Sequence, residues 1–368
     1  MGSTSNLNKS PCDIAGRWSA EALEAWVKEV FLRIGCSESH AAMAAAVLLA
    51  ADLKGIDSHG VARLPGYVRL WRKGQINTDP QWQWTQRMPA VAVLDADGAL
   101  GLVAGQVAME KAVVMAAEYG TAQVLVRNSN HFGIAAEHAL MATARGMVGW
   151  AMTNASPLVA PLGSSKRLLG TNPLCYAFPP ANNGLPWVLD MATSAAANGK
   201  LELAAAAGQA IPQGWASDHR GQGTTNPKVL QEGGALLPLG STAEGGVHKG
   251  YGLGALVDLW SGLLSGASFG PWVPPFVDFL EPAKDGPGPG LGHAFGALAI
   301  EALMGLPEYQ QRLDRWTQAF AEAGLVLHGM PEWEQRRIRL REGIPYTADG
   351  RRALVDLGAS LDLQAPGQ

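Results

Sequence analysis

Residues 90–126, AVAVLDADGALGLVAGQVAMEKAVVMAAEYGTAQVLV, read as a short apolar run, a helix and a second short apolar run. Ala90 to Leu94 and Gln123 to Val126 have strand length and composition, and Gln106 to Tyr119 between them has helical character. The same alternation continues downstream. Val148 to Met152, Leu174 to Phe178 and Trp187 to Leu189 are strand-like, and Ile134 to Arg145 is helical. Alternation of this kind predicts an α/β fold with a mixed sheet and flanking helices. No internal repeat is evident.

Upstream, the first 75 residues read as helical. Leu23, Trp26, Val27, Val30, Phe31 and Ile34 recur at 3.6-residue spacing, with Ser19 as cap and Gly35 as stop. A second helix is expected over Glu38 to Lys54, and a third from Asp57 towards Lys73, where Pro65 falls early enough to be tolerated. Downstream, Gln213 to Pro227 reads as a loop and a long helix follows Gly250 to about Leu264. A Pro/Trp stretch (Phe269 to Phe279) and a Gly/Pro loop (Asp285 to Gly292) come next, then an amphipathic helix over Pro307 to Ala323. Leu313, Trp316 and Phe320 share one face of that helix, and residues after about Ser360 are expected to be loosely held. The terminal helical segments, 1–75 and about 300–368, are expected to pack together as a discontinuous lobe around an inserted α/β lobe of about residues 76–299.

Composition narrows the class. With 368 residues, 47% hydrophobic and 16% charged, the chain can bury a large core. A net charge of -4 and the lack of a basic stripe argue against nucleic acid as a partner. Cys12, Cys36 and Cys175 show no paired metal spacing and are too few for a disulfide framework, which predicts a reducing cytoplasm. No apolar stretch approaches the roughly 18 residues of a membrane span.

Asp57-Ser58-His59-Gly60, with Arg63 four residues after the histidine, combines a group that exchanges a proton near neutral pH with a fork for carboxylates. A helix starting there would put His59 in its first turn and Arg63 one turn later; a plain helix start with a capping Ser and a solvated Arg fits as well. Asn128-Ser129-Asn130-His131-Phe132-Gly133 follows a strand and opens a helix, a place where backbone N–H groups can meet a phosphate. Thr153 to Ser156 and Gly170-Thr171-Asn172-Pro173 flank further strands. Asp190 closes one, either as a helix cap for the next segment or as a carboxylate facing a histidine. His248-Lys249-Gly250-Tyr251-Gly252 opens the long helix, with a cation suited to a diphosphate. There is no G-x-G-x-x-G after a strand, no P-loop, no H-E-x-x-H and no G-x-S-x-G; Gly286 to Gly292 is broken by prolines. His40, His138, His219, His293 and His328 have no metal-ligand spacing and read as surface or satisfied core residues, so no metal is expected.

Together these motifs resemble the malate/L-lactate/sulfolactate dehydrogenase family, which also holds ureidoglycolate dehydrogenase, diketogulonate reductase and piperideine-2-carboxylate reductase. The likeness runs from about Ser19 to Gly343 and includes Leu189 to Ser194 and Gly199-Lys200-Leu201-Glu202. It implies a family-specific, non-Rossmann cofactor fold and a homodimer using NAD or NADP. Carried over by residue, His59 would donate the proton in reduction and accept it in oxidation, with Ser58 and Asp190 as its relay. Arg63 would hold the substrate carboxylate, beside Thr171. His131, Phe132, Gly133, Ile134, Ala135, Met191, Ala192, Thr193, His248, Lys249 and Gly250 would line the cofactor. Asn198 stands where a basic residue is frequent, so NAD and NADP both stay open; Ser241 to Val247 is a longer loop than some relatives carry, which leaves the cofactor contacts beside His248 and Lys249 open. The expected reaction is hydride transfer to or from C2 of a small 2-hydroxy/2-oxo carboxylate. Reduction of a cyclic imino acid would use the same residues, and a non-catalytic ligand-binding relative would have no use for the relay.

Overall fold

The computed structural model describes residues 14–161, 163–182 and 184–366; Cys12 lies outside them. The chain runs through β1 (Ile14–Trp18), α1 (Ala20–Arg33), α2 (Glu38–Leu53) and α3 (Leu64–Arg72). Next come β2 (Gln83–Met88), β3 (Val91–Ala99), α4 (Gly101–Tyr119), β4 (Thr121–Ser129), α5 (Ala135–Thr143), β5 (Met147–Thr153), β6 (Leu174–Phe178) and β7 (Trp187–Met191). After these stand α6 (Asn198–Ala206), three two-residue strands β8 (Ala216–Ser217), β9 (Gly223–Thr224) and β10 (Ala235–Leu236), and α7 (Val247–Asp258). The chain closes with β11 (Leu291–Ala299), α8 (Leu306–Glu322), α9 (Met330–Glu342), β12 (Ile344–Thr347) and α10 (Ala348–Ala359). No helix among the described residues is long and apolar enough to cross a membrane.

Two compact units emerge: residues up to 69 with those from 331 onward, and residues 70–330. In the first, β1 and β12 pair antiparallel, so the two ends of the chain share a two-stranded ribbon. The Ser19 side chain caps α1 by accepting from Ala22 N, and Leu23, Trp26, Val27, Val30 and Phe31 are buried, as their spacing requires. The tail departs from expectation. Trp26 Nε1 donates to the Gln364 carbonyl at 2.7 Å and Leu361 is buried, so residues 361–364 are fastened to the first unit.

The second unit is built on a seven-stranded sheet in the order β2-β3-β4-β11-β5-β6-β7. Among the described strands of that sheet, β3 and β4 are the one parallel pair, joined by the α4 crossover, and all other neighbours are antiparallel. This is a mixed sheet and not the parallel, doubly wound Rossmann arrangement. Pleating divides the core: Val124 and Val126 of β4 pack with α4 and α5, while Leu125 packs with Val257 and Leu253 of α7 on the other face. The boundary expected near residue 300 falls at 330, because α8 belongs to this unit. Tyr309 Oη donates to the Pro179 carbonyl at 2.8 Å, and Trp316 meets Trp187 edge to face at 6.3 Å.

Two strands of the seven-stranded sheet escaped the periodicity. The edge strand β2 is exposed along its length, and β11, near the centre of the sheet, is Gly- and Ala-rich. Gly296 shows why that composition is required: a Cβ there would lie 2.0 Å from the Trp150 ring on the neighbouring strand. Gly296→Ala is expected to lower unfolding stability by about 1–3 kcal/mol, the usual cost of overpacking a dense core. Urea unfolding measures it, and an unchanged midpoint would show that Trp150 moves aside freely.

Candidate active site

The loop carrying Asp57, Ser58, His59 and Arg63 belongs to the first unit, and its conformation differs from the helix start expected there. Asp57–His59 and Val61–Arg63 form two short 3-10 turns, and α3 begins only at Leu64. Two interactions take the groups that a helix start would have used. Val61 N donates to Asp52 Oδ2 at 3.1 Å, and the Asp57 carboxylate receives the Arg339 guanidinium instead of capping. Gly60 lies directly on Asp52, where a Cβ would sit 1.8 Å from Oδ1. The tight turns then bring the chemistry together. Ser58 Oγ and His59 Nδ1 are 2.9 Å apart, and Arg63 Nε donates to the Ser58 carbonyl at 2.5 Å.

The electrostatics of the loop derive from burial. Desolvation first, and the Arg63 charge second, pull His59 down from 6.5 to about 4, so its imidazole is neutral at pH 7. Asp52 moves the opposite way. Burial pushes its carboxyl up to about 7, against the Tyr346 hydroxyl, which donates to Oδ2 at 2.5 Å. Sequence pattern gave no sign of Asp52, Arg339 and Tyr346 as parts of the site. A lone aspartate near the end of the Ala-rich α2 was the available signal; its partners lie close to 300 residues away.

In the second unit the expected cofactor segments converge. Asp190 Oδ2 accepts from Ala136 N at 2.8 Å, so Asp190 caps the first turn of α5. Thr193 N and Oγ1 both donate to the Thr171 carbonyl, at 2.9 and 3.1 Å. Asn172 Nδ2 donates to the Gly254 carbonyl of α7 at 2.9 Å, and Leu239 N donates to the Thr193 carbonyl. These bonds tie together the turn after β7, the Thr171 loop and α7, while Asp190 ties in the start of α5 beside His131 to Ala135. Met191 and Ala192 are half-buried, Gly250 is buried, and His248 and Lys249 are exposed in the first turn of α7. Phe132, Ile134 and Ala135 turn their side chains into the core.

A buried histidine supports that loop from below. His293 of β11 is bonded at both ring nitrogens, Nδ1 to Thr153 Oγ1 at 2.7 Å and Nε2 to Ser129 Oγ at 2.8 Å. It stacks on Phe132 at 5.0 Å, and burial lowers its pKa to about 3. His138 Nε2 bonds the Phe132 carbonyl at 2.9 Å. Both histidines are core residues with bonded rings, as expected. Among the described residues no three His, Cys, Asp or Glu side chains are grouped to hold a metal.

The family described as malate/L-lactate dehydrogenase matches residues 18–355. The chain is 40% identical over 334 residues to the malate dehydrogenase of Pyrococcus abyssi, covering 88% of this chain and 89% of that one. It is 35% identical over 349 residues to a Δ1-pyrroline-2-carboxylate/Δ1-piperideine-2-carboxylate reductase of Pseudomonas putida, covering 91% and 95%. The solved malate dehydrogenase of Pyrococcus horikoshii superposes with a TM-score of 0.84 at 35% identity, over 95% of this chain and 97% of that one.

Proposed function

The chain belongs to the malate/L-lactate dehydrogenase family, and from that premise we propose that it transfers a hydride between NAD or NADP and C2 of a small 2-hydroxy/2-oxo carboxylate of the malate or lactate type. The observation that carries this reading is the loop itself, where the Ser58–His59 pair and Arg63 are locked to one another within a few residues. A proton carrier and a carboxylate fork are what a 2-hydroxy acid requires. In oxidation, neutral His59 takes the hydroxyl proton at Nε2, with Nδ1–H donating to Ser58 Oγ; in reduction it returns that proton to the carbonyl oxygen. Ser58 and, by the family resemblance, Asp190 act as its relay. Arg63 orients the carboxylate, with Thr171 contributing to the same task.

The donor set of the larger unit suits a dinucleotide. His248 and Lys249 are exposed in the first turn of the 12-residue α7, where backbone N–H groups and the helix dipole favour a diphosphate. Met191, Ala192 and Thr193, and the backbone from His131 to Ala135, are the remaining contacts in this reading. The nicotinamide, when bound, supplies the hydride chemistry. The protein's part is to hold the substrate, move the proton and exclude competing reactions. By the family resemblance we further propose a homodimer.

Reduction of a cyclic imino acid is a second reading, supported by the likeness to the Pseudomonas reductase. His59 would then protonate the imine nitrogen and Arg63 would hold the adjacent carboxylate. A panel assay of reduced-cofactor absorbance separates the two, with NADH and NADPH each offered oxaloacetate, pyruvate and piperideine-2-carboxylate. Turnover of a 2-oxo acid is expected. Turnover of the imine alone would move the protein to the reductase reading, and binding without any turnover would argue for a non-catalytic relative.

The pKa of His59 gives a pH prediction. Because the free enzyme holds His59 near 4, kcat/KM for oxidation is expected to stay flat as pH falls from neutral to about 5, then to drop about tenfold per unit below 4. Reduction needs the charged form, so its kcat/KM declines as pH rises through the same region. An inflection near 6.5 in the oxidation profile would show that His59 titrates as an ordinary exposed histidine.

A further inference from the structure

We propose that Asp52, Arg339 and Tyr346 are positioning residues that set the geometry of the Ser58–His59–Arg63 loop, so that the C-terminal segment of the chain tunes the chemistry of a loop near the N-terminus. The bonds are specific. Asp52 Oδ2 accepts from Val61 N, between His59 and Arg63, and from Tyr346 Oη of β12, at 3.1 and 2.5 Å. Arg339 of α9 bridges the Asp52 carbonyl, at 2.5 Å, and the Asp57 carboxylate. It thereby joins the last turn of α2 to the residue before Ser58. Gly60 is pressed on the Asp52 carboxyl so closely that no side chain fits. Every residue from Asp57 to Arg63 is therefore within two residues of a bond or contact to this brace.

A brace that served only folding could use apolar contacts alone. Here two acidic groups, a guanidinium and a phenol are sequestered together instead. Asp52, Asp57, Arg339 and Tyr346 are also the charged and titratable groups that act on one another there, and burial is the largest influence on both Asp52 and Tyr346. Removing a single hydroxyl from this set loosens Val61 and Gly60, and with them the partly desolvated setting that keeps His59 neutral.

The turnover part of the test rests on the proposed function, whereas the titration part does not. Histidine-ring NMR on the full-length protein monitors His59 directly, its signal identified by loss in His59→Gln. In Tyr346→Phe, whose shape is conserved, the His59 pKa is expected to rise from about 4 towards 6.5, and kcat for oxidation to fall about tenfold, the scale of one charge-assisted hydrogen bond. NADH or NADPH affinity should stay within about twofold. Asp52→Asn should shift His59 in the same direction. Should Tyr346→Phe prove too unstable to purify, Arg339→Lys carries the same test, since lysine keeps the charge but cannot fork between the Asp52 carbonyl and Asp57. A His59 titration and kcat that match wild type in a folded variant would overturn the proposal. A shifted titration in a protein whose wild type turns over no substrate would uphold the brace and reject the proposed reaction.

Discussion

Replacing His59 by glutamine is expected to lower turnover by about 10²–10⁴-fold while cofactor affinity stays near wild type. Glutamine keeps a polar side chain of similar reach next to Ser58 but cannot exchange a proton near neutral pH. The loss should fall on kcat and kcat/KM together, because the proton moves only as the hydride does. His59 is half-buried and held at Nδ1 by Ser58, so the substitution leaves the bonds of Asp57, Val61 and Arg63 in place. Steady-state kinetics with the best substrate of the panel, alongside fluorescence titration of the reduced cofactor, measures both quantities. Full turnover in His59→Gln would remove His59 from the mechanism.

Arg63→Ala is expected to raise KM by about a hundredfold or more. Truncating one partner of a desolvated charge pair costs roughly 2–5 kcal/mol, and each 1.4 kcal/mol is tenfold. The Arg63 side chain is anchored through Nε to the Ser58 carbonyl, so its direction is fixed before substrate arrives. Arg63→Lys should recover part of the loss, because lysine restores the charge but not the planar fork. The same ranking is expected for a 2-oxo acid and for a cyclic imino acid, since both carry the carboxylate. An unchanged KM for every carboxylate in Arg63→Ala would place substrate recognition elsewhere.

Local pattern was a good guide wherever local forces decide the structure. α1 and α2 begin and end within a residue or two of their caps, because Ser19 and Ser37 accept from backbone N–H groups in the first turn. In the inserted unit, β3 to β7 were legible from their apolar runs. β11 was not, because its packing demands glycine and alanine where propensity favours β-branched residues. The expected helix from Asp57 failed for a different reason: Asp57 is claimed by a residue distant in the chain, and the Asp52 that takes Val61 N is itself held by another. Arg339 lies 282 positions from Asp57, and Tyr346 lies 294 from Asp52. No window of sequence contains such a pair. Residue types at the candidate site were therefore readable as motifs, while what holds them was visible only in three dimensions. Asp190 illustrates the difference, since its position after a strand suggested a cap for the next segment and the fold uses it to cap α5.

In the proposed reaction the hydrogen at C2 of a hydroxy acid passes as hydride to the nicotinamide. Incubating the enzyme with a malate or lactate deuterated at C2, together with oxidised cofactor, and examining the reduced cofactor by mass spectrometry and NMR tests it directly. One deuterium is expected at C4 of the nicotinamide, with slower turnover than for the unlabelled acid when hydride transfer limits the rate, and a label that fades with activity in His59→Gln. Reduced cofactor without deuterium, or label released into water, would contradict it.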